Sequence, residues 1–189
     1  MTRAPQVAVV GDSRAARPIL RTAEAIGAAI AELGATLITG GRGGVMAAAS
    51  RGARRAGGTV VGIVPSTELD AANRWCSVVL PTGLGHARNV LTAIAGDVLV
   101  AVGGGAGTLS EIAFAWLHGR PIVVVAGSGG WADQLAGRGV DARRTSRIIA
   151  ADGASECAVA LRLMLGRAGF RIQDPGSRRL VTSGLRPSS

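Results

Sequence analysis

Along the chain, short unbroken runs of apolar residues alternate with longer stretches in which alanine, leucine and isoleucine recur every three or four positions. An unbroken run marks a strand buried on both faces, and the recurring interval marks a helix with a buried side. On that pattern VAVVG at 7–11 is a first strand, and ARPILRTAEAIGAAIAEL at 16–33 is a helix ended by Gly34. TLITGG at 36–41 is a second strand, and the helix after it, over about 44–56, stops at Gly57 and Gly58. TVVGIVP at 59–65 and SVVLP at 77–81 are further strands, with a helix over GHARNVLTAIAG at 85–96. DVLVAVGG at 97–104 is the most apolar strand. TLSEIAFAWLHG at 108–119 is a helix, PIVVVAG at 121–127 a strand, and SRIIAA and ASECAVALRLMLG supply the last strand and helix.

Strands that are apolar throughout and separated by helices imply a parallel sheet covered on both faces, a doubly wound α/β fold of the Rossmann-like kind. No repeat or linker divides it, so residues 1–173 read as one domain. The tail at 174–189 is rich in Pro, Gly, Ser and Arg, poor in apolar residues, and expected to be disordered. No apolar run approaches the roughly 18 residues of a membrane span. The opening MTRAPQVAVVGDS reads as a strand rather than as a leader, which leaves a cytoplasmic location as the expectation.

Composition changes the picture in three places. The formal net charge is +9, yet lysine and tyrosine are absent, and the arginines are scattered without interleaved aromatics. Nucleic acid is therefore not the expected partner, although arginine clusters suit a phosphate. The lack of lysine also excludes a lysine Schiff base and the GK[ST] phosphate loop. Cys76 and Cys157 lie far apart with no CxxC spacing, and His86 and His118 have no second ligand nearby, so no metal and no resident cofactor is expected.

Ligands of such folds sit beyond the carboxyl ends of the strands. Three glycine-bearing loops fall there: GDSRA at 11–15, TGGRGGVM at 39–46 and VGGGAGT at 102–108. The last two each follow a strand and open a helix, where bare backbone and unpaired N–H groups receive an anion. A phosphate or nucleotide ligand is the expectation. The first loop lacks the G-x-G-x-x-G spacing, and no acidic residue follows about 20 positions on, so a dinucleotide enzyme fits poorly.

GGRGGVM at 40–46 together with VGGGAGTLSE at 102–111 resembles the LOG-type nucleotide-binding family, often mislabelled as lysine decarboxylases. Gly103, Gly105, Gly107, Thr108 and Glu111 match that family's second glycine loop, with Gly104 and Ala106 between them. Gly44, Val45 and Met46 match the end of its first, and Arg88 falls where the family has its active-site arginine. The resemblance spans about residues 7–165. It implies binding of a nucleoside 5′-monophosphate, and in the best-known members its hydrolysis to free base and ribose 5-phosphate, with Arg88 and Glu111 flanking the scissile bond. With the loops it gives the expected ligand contacts: Gly11, Ser13, Gly40, Gly41, Gly43, Gly44, Met46, Arg88, Gly103, Gly104, Gly105, Gly107 and Thr108. It also implies a homodimer, for which the apolar helix at 108–118 offers a face.

The chain departs from that pattern at Val102, where the family has proline, at Asn89, where the hydrolases have lysine, and in a shorter first loop that contains Arg42. These features resemble a sister branch that includes the molybdenum cofactor carrier protein. The primary reading is a LOG-like nucleotide-binding protein with phosphoribohydrolase activity. The alternative is a non-catalytic carrier or sensor of a phosphorylated ligand. Glu111 also has a plain structural reading, because Thr108-x-x-Glu111 has the spacing of a helix capping box. Ser13 reads either as a ligand contact or as a helix cap, His86 as a surface histidine, and Asp97 as the end of a helix turn. Met46 and the three tryptophans, Trp75, Trp116 and Trp131, read as packing residues, with Trp116 also placed for a pocket or a dimer face.

Overall fold

The computed structural model describes residues 3–172; the tail from 174 onward lies outside them. The strands are β1 (Gln6–Gly11), β2 (Thr36–Thr39), β3 (Val60–Val64), β4 (Val78–Pro81), β5 (Val98–Val102), β6 (Ile122–Val125) and β7 (Ile149–Ala151). They form one sheet in the order β4-β3-β2-β1-β5-β6-β7, with every pairing parallel. All of β5 and β6 is buried, which is why their sequences, VLVAV and IVVV, show no polar alternation. The sequence expectation of a doubly wound α/β fold holds.

Helices cover both faces. On one side lie α1 (Arg17–Glu32), α2 (Val45–Arg55) and α6 (Gly153–Arg167), over a core that includes Val7, Val9, Ile26, Ile30, Leu161 and Leu165. On the other lie α3 (Asn89–Ala95), α4 (Ala106–Leu117) and the short α5 (Gly130–Leu135), around Ile112, Trp116, Leu99 and Val124. With few aromatics available, closeness replaces bulk. A Cβ on Gly27 would overlap the Ala49 carbonyl, and one on Gly52 would overlap that of Glu24. The α1 and α2 backbones therefore meet nearly in contact, where dispersion is strongest. Glu24 bridges the same pair of helices through Arg51 and Arg55.

Two local details differ from the sequence reading. The segment 85–96 is not one helix but a 3-10 turn, Gly85–Arg88, followed by α3. Asp97 does not close a helix: it accepts the Gln6 amide at 2.9 Å and pairs with Arg3, tying the start of the chain to the foot of β5. Among the described residues, no helix is long and apolar enough to cross a membrane.

Strand order reverses between β1 and β5: the chain runs outward through β2, β3 and β4 on one side and through β6 and β7 on the other. Diverging connections leave a crevice at such a point, beyond the carboxyl ends of the strands. There the loops after β1, β2 and β5 face one another.

Candidate functional site

The crevice is a cavity of about 450 Å³. One wall is the start of α4. The helix begins at Ala106, two residues before the predicted Thr108, and its N-cap position, Gly105, makes no side-chain capping bond. A helix start leaves its first amides without intrahelical acceptors. Here Gly105, Ala106 and Gly107 are exposed, and Gly105, Gly107 and Thr108 line the cavity. The shift in the helix start removes the capping-box reading, because Thr108 stands inside the first turn and Glu111 a turn further on. The Glu111 carboxylate goes elsewhere.

It goes to Arg88. The Arg88 Nη1 donates to Glu111 Oε1 at 3.1 Å and to Thr92 Oγ1 at 3.1 Å, and both charged side chains are more than nine-tenths buried. Burial works against both charges. It draws the arginine below its usual value and pushes the Glu111 carboxyl up to about 7, and the mutual attraction of the pair offsets only part of this. Arginine keeps its proton in any aqueous range, so the proton exchanged near neutrality belongs to Glu111. The Arg88 guanidinium rests on the backbone of Gly40, where an added Cβ would stand 2.6 Å from Nη2. Only glycine at position 40 leaves room for the arginine.

Arg88 and the next residue together hold α4. Asn89 donates through Nδ2 to Ser110 Oγ at 2.8 Å, and the Ser110 hydroxyl in turn donates to the Gly107 carbonyl at 2.7 Å. The first turn of α4, with its open amides, is thereby braced from α3.

The predicted contact residues divide into two sets. Gly11, Ser13, Met46, Arg88, Gly105, Gly107, Thr108 and Glu111 face the cavity. The other six glycines shape the loops behind it. Gly104 has φ +102°, and a Cβ there would collide with the Thr108 side chain. The amides of Gly103 and Gly104 are already engaged, by Ser128 Oγ at 2.8 Å and Asp12 Oδ2 at 2.9 Å. Gly40 seats Arg88, Gly41 packs on Val64 and Gly62, and Gly44 lies against the backbone of Asp12 and Ser13. Gly43 comes within 3.4 Å of the Ser13 carbonyl, measured from a built Cβ.

Six further lining residues were not among the predicted contacts: Asp12, Arg42, Pro65, Gly85, His86 and Asn89. Asp12 was legible, as the residue after Gly11 in the first loop. Pro65 and Gly85 come from the β3 and β4 sides, which no motif marks. Trp116 is buried, with its indole N–H donating to Asp141 at 2.9 Å and Arg144 stacked on its ring, and it lies outside this cavity.

A family model described as the SLOG cluster4 family matches residues 4–158. An uncharacterised protein of Archaeoglobus fulgidus is 43% identical over 62% of this chain and 77% of its own. The cytokinin riboside 5′-monophosphate phosphoribohydrolase of Mycobacterium tuberculosis is 33% identical over 57% of this chain and 62% of that enzyme. Among solved structures, the molybdenum cofactor binding protein of Rippkaea orientalis superposes with a TM-score of 0.78 at 31% identity, covering 87% of this chain and 99% of that one. The molybdenum cofactor carrier protein of Chlamydomonas reinhardtii gives 0.77 at 32% identity, with the same coverage.

Proposed function

The chain belongs to the SLOG cluster4 family, and on that footing we propose that it binds a small phosphorylated ligand, a nucleotide or a phosphorylated cofactor, with the phosphate on the amides of Gly105–Thr108. The observation that carries this reading is the bare start of α4, uncapped and opening into a cavity of about 450 Å³. Unpaired N–H groups and the positive end of the helix dipole both favour an anion there, and the volume suits a ligand of nucleotide size.

Holding the ligand, as a carrier does, is the activity this arrangement supports best. Solved proteins that it resembles over almost their whole length include molybdenum cofactor binding and carrier proteins. Asn89, where the hydrolases have lysine, spends its amide on bracing the first turn of α4 and brings no positive charge to it. Mass spectrometry of the small molecules released from freshly purified protein tests this reading. A phosphorylated compound at near-stoichiometric amount supports it. Protein that carries none, and that binds neither phosphate nor any phosphorylated nucleotide or pterin in calorimetry, overturns it.

Glu111 favours a second reading, phosphoribohydrolase activity. Breaking an N-glycosidic bond builds positive charge on the ribose, which a carboxylate stabilises while it orients or deprotonates a water. A carboxyl with a value of about 7, buried at the cavity wall, is suited to that work. Chromatography of AMP and other monophosphates after incubation decides it: base released by the wild type and reduced a hundredfold or more in Glu111→Gln supports hydrolysis, and no release from any monophosphate sinks it. Our reading further has the protein acting as a cytoplasmic homodimer, joined through the outer face of α3 and α4, where Leu91 and Leu117 are exposed beside the half-buried Phe114.

A further inference from the structure

The proposed phosphate site accounts for one end of the cavity. At the other end, where β2 gives way to its glycine loop, stand two arginines that the phosphate site does not use. Arg88 lies on Gly40, and Arg42 is two residues further along the same loop. Both line the cavity, and the Arg42 charge works against that of Arg88. The loop that carries Arg42 is fixed at its backbone: Asn73 donates through Nδ2 to the Arg42 carbonyl at 3.1 Å and through its amide to the Gly41 carbonyl at 2.7 Å.

The charges at this end do not balance. Of the two carboxylates on the cavity, Glu111 is taken by Arg88 and Asp12 by the Gly104 amide. Among the described residues no acceptor is recorded for the Arg42 guanidinium. The buried Arg88 Nε also has no partner, an uncommon state for a donor so deep. Glu111 matches Arg88 but no carboxylate matches Arg42, so the two guanidiniums leave one positive charge in excess and repel one another. An anion between them would relieve that repulsion and satisfy arginine's planar donors.

We propose that Arg42 and Arg88 together hold a second anionic group of the ligand, so that the preferred ligand carries two separated anions, one at each end of the cavity. The inference rests on the phosphate site at α4 proposed above. The β2 and β5 strands flank β1, so the loops that follow them start two strand spacings apart, about 10 Å, and Arg88 reaches between the two sides from Gly40 to Glu111. A span of that order suits a bisphosphate on a sugar or nucleoside frame, or a phosphorylated cofactor with a second anionic centre.

Calorimetry at low ionic strength tests this with AMP against adenosine 3′,5′-bisphosphate, and with fructose 6-phosphate against fructose 1,6-bisphosphate. In the wild type at least one bisphosphate should bind tenfold or more tighter than its monophosphate. Arg42→Ala should abolish that advantage and leave monophosphate affinity within about twofold, and Arg42→Lys should retain part of it. Arg42 is exposed, so these variants fold like the wild type, which thermal unfolding verifies. If monophosphates bind but neither bisphosphate binds tighter, or the advantage survives Arg42→Ala, this inference is overturned while the α4 phosphate site stands. If no phosphate compound binds at all, both fail together.

Discussion

Glu111→Gln should make the protein more stable at pH 8 and leave it nearly unchanged at pH 5. The Glu111 carboxyl has a folded value of about 7 against an ordinary 4.5. A carboxyl raised in the fold contributes its full stability below the unfolded value and loses it as pH rises through the folded one. The loss therefore runs from about pH 4.5 to about pH 7 and levels off above. A difference of roughly two and a half units at 1.36 kcal/mol each amounts to about 3 kcal/mol. The side chain is only 8% exposed, so solvent screening takes little from this figure. Glutamine keeps an acceptor for Arg88 and has no charge to desolvate, so the variant escapes the loss. Urea unfolding of both proteins at pH 5, 6, 7 and 8 measures it, and taking the difference between them cancels every other titrating group. The reasoning is refuted if Glu111→Gln is the less stable protein at pH 8 with an unchanged pH profile. Arg88 would then hold the carboxylate well ionised, and the buried pair would be a net stabiliser rather than a cost retained for the site.

Three further outcomes follow from the same contacts. Ser110→Ala removes the relay from Asn89 to Gly107, leaving only the longer direct bond between them at 3.4 Å, and should weaken phosphate binding three- to tenfold in calorimetry while Ser110→Thr restores it; unchanged affinity in the alanine variant would show that the α4 turn needs no brace through Ser110. Gly104→Ala forces φ +102° on a residue with a Cβ that meets Thr108, and should cost about 1–3 kcal/mol or more in chemical denaturation; a loss below half a kilocalorie would contradict that geometry. Leu117→Arg places a charge on the α3–α4 face and should convert a sedimenting dimer to monomer, whereas a wild type already monomeric at micromolar concentration removes the dimer from the reading.

Where sequence and structure agree, the signal was periodicity combined with burial. VAVVG, DVLVAVGG and PIVVVAG have no polar side to turn outward, so they could only be central strands of a covered sheet. The two glycine loops were equally legible, since each ends a strand and opens a helix. The division of labour within them was not. Gly103 and Gly105 look alike in VGGGAGT, but the amide of one is engaged by Ser128 and the other stands exposed at the cavity. That depends on a serine 25 residues away in a loop that carries no pattern. Arg88 was placed at the site by the resemblance alone, because nothing local predicts its burial. Its setting comes from Gly40, Thr92 and Glu111, which the fold alone brings together. The Thr108-x-x-Glu111 spacing misled for a related reason: it is a valid cap only if the helix starts at Thr108, and the permissive Gly105–Ala106 backbone lets it start earlier.

The placement of cationic charge also bears on the choice between holding a ligand and cleaving it. This chain has asparagine at 89, beside α4, and arginine at 42, beside β2. Relative to the hydrolase pattern that moves a positive charge from the phosphate turn to the far end of the cavity. A cation at the reacting centre lowers a barrier only if its interaction strengthens as the bond breaks. Contacts at both ends of a ligand grip the bound state and the transition state alike, which raises affinity without raising turnover. If both proposed anion contacts hold, tight binding with slow or no turnover is the outcome expected of the cavity, and the two-ended grip and the carrier reading then have one cause.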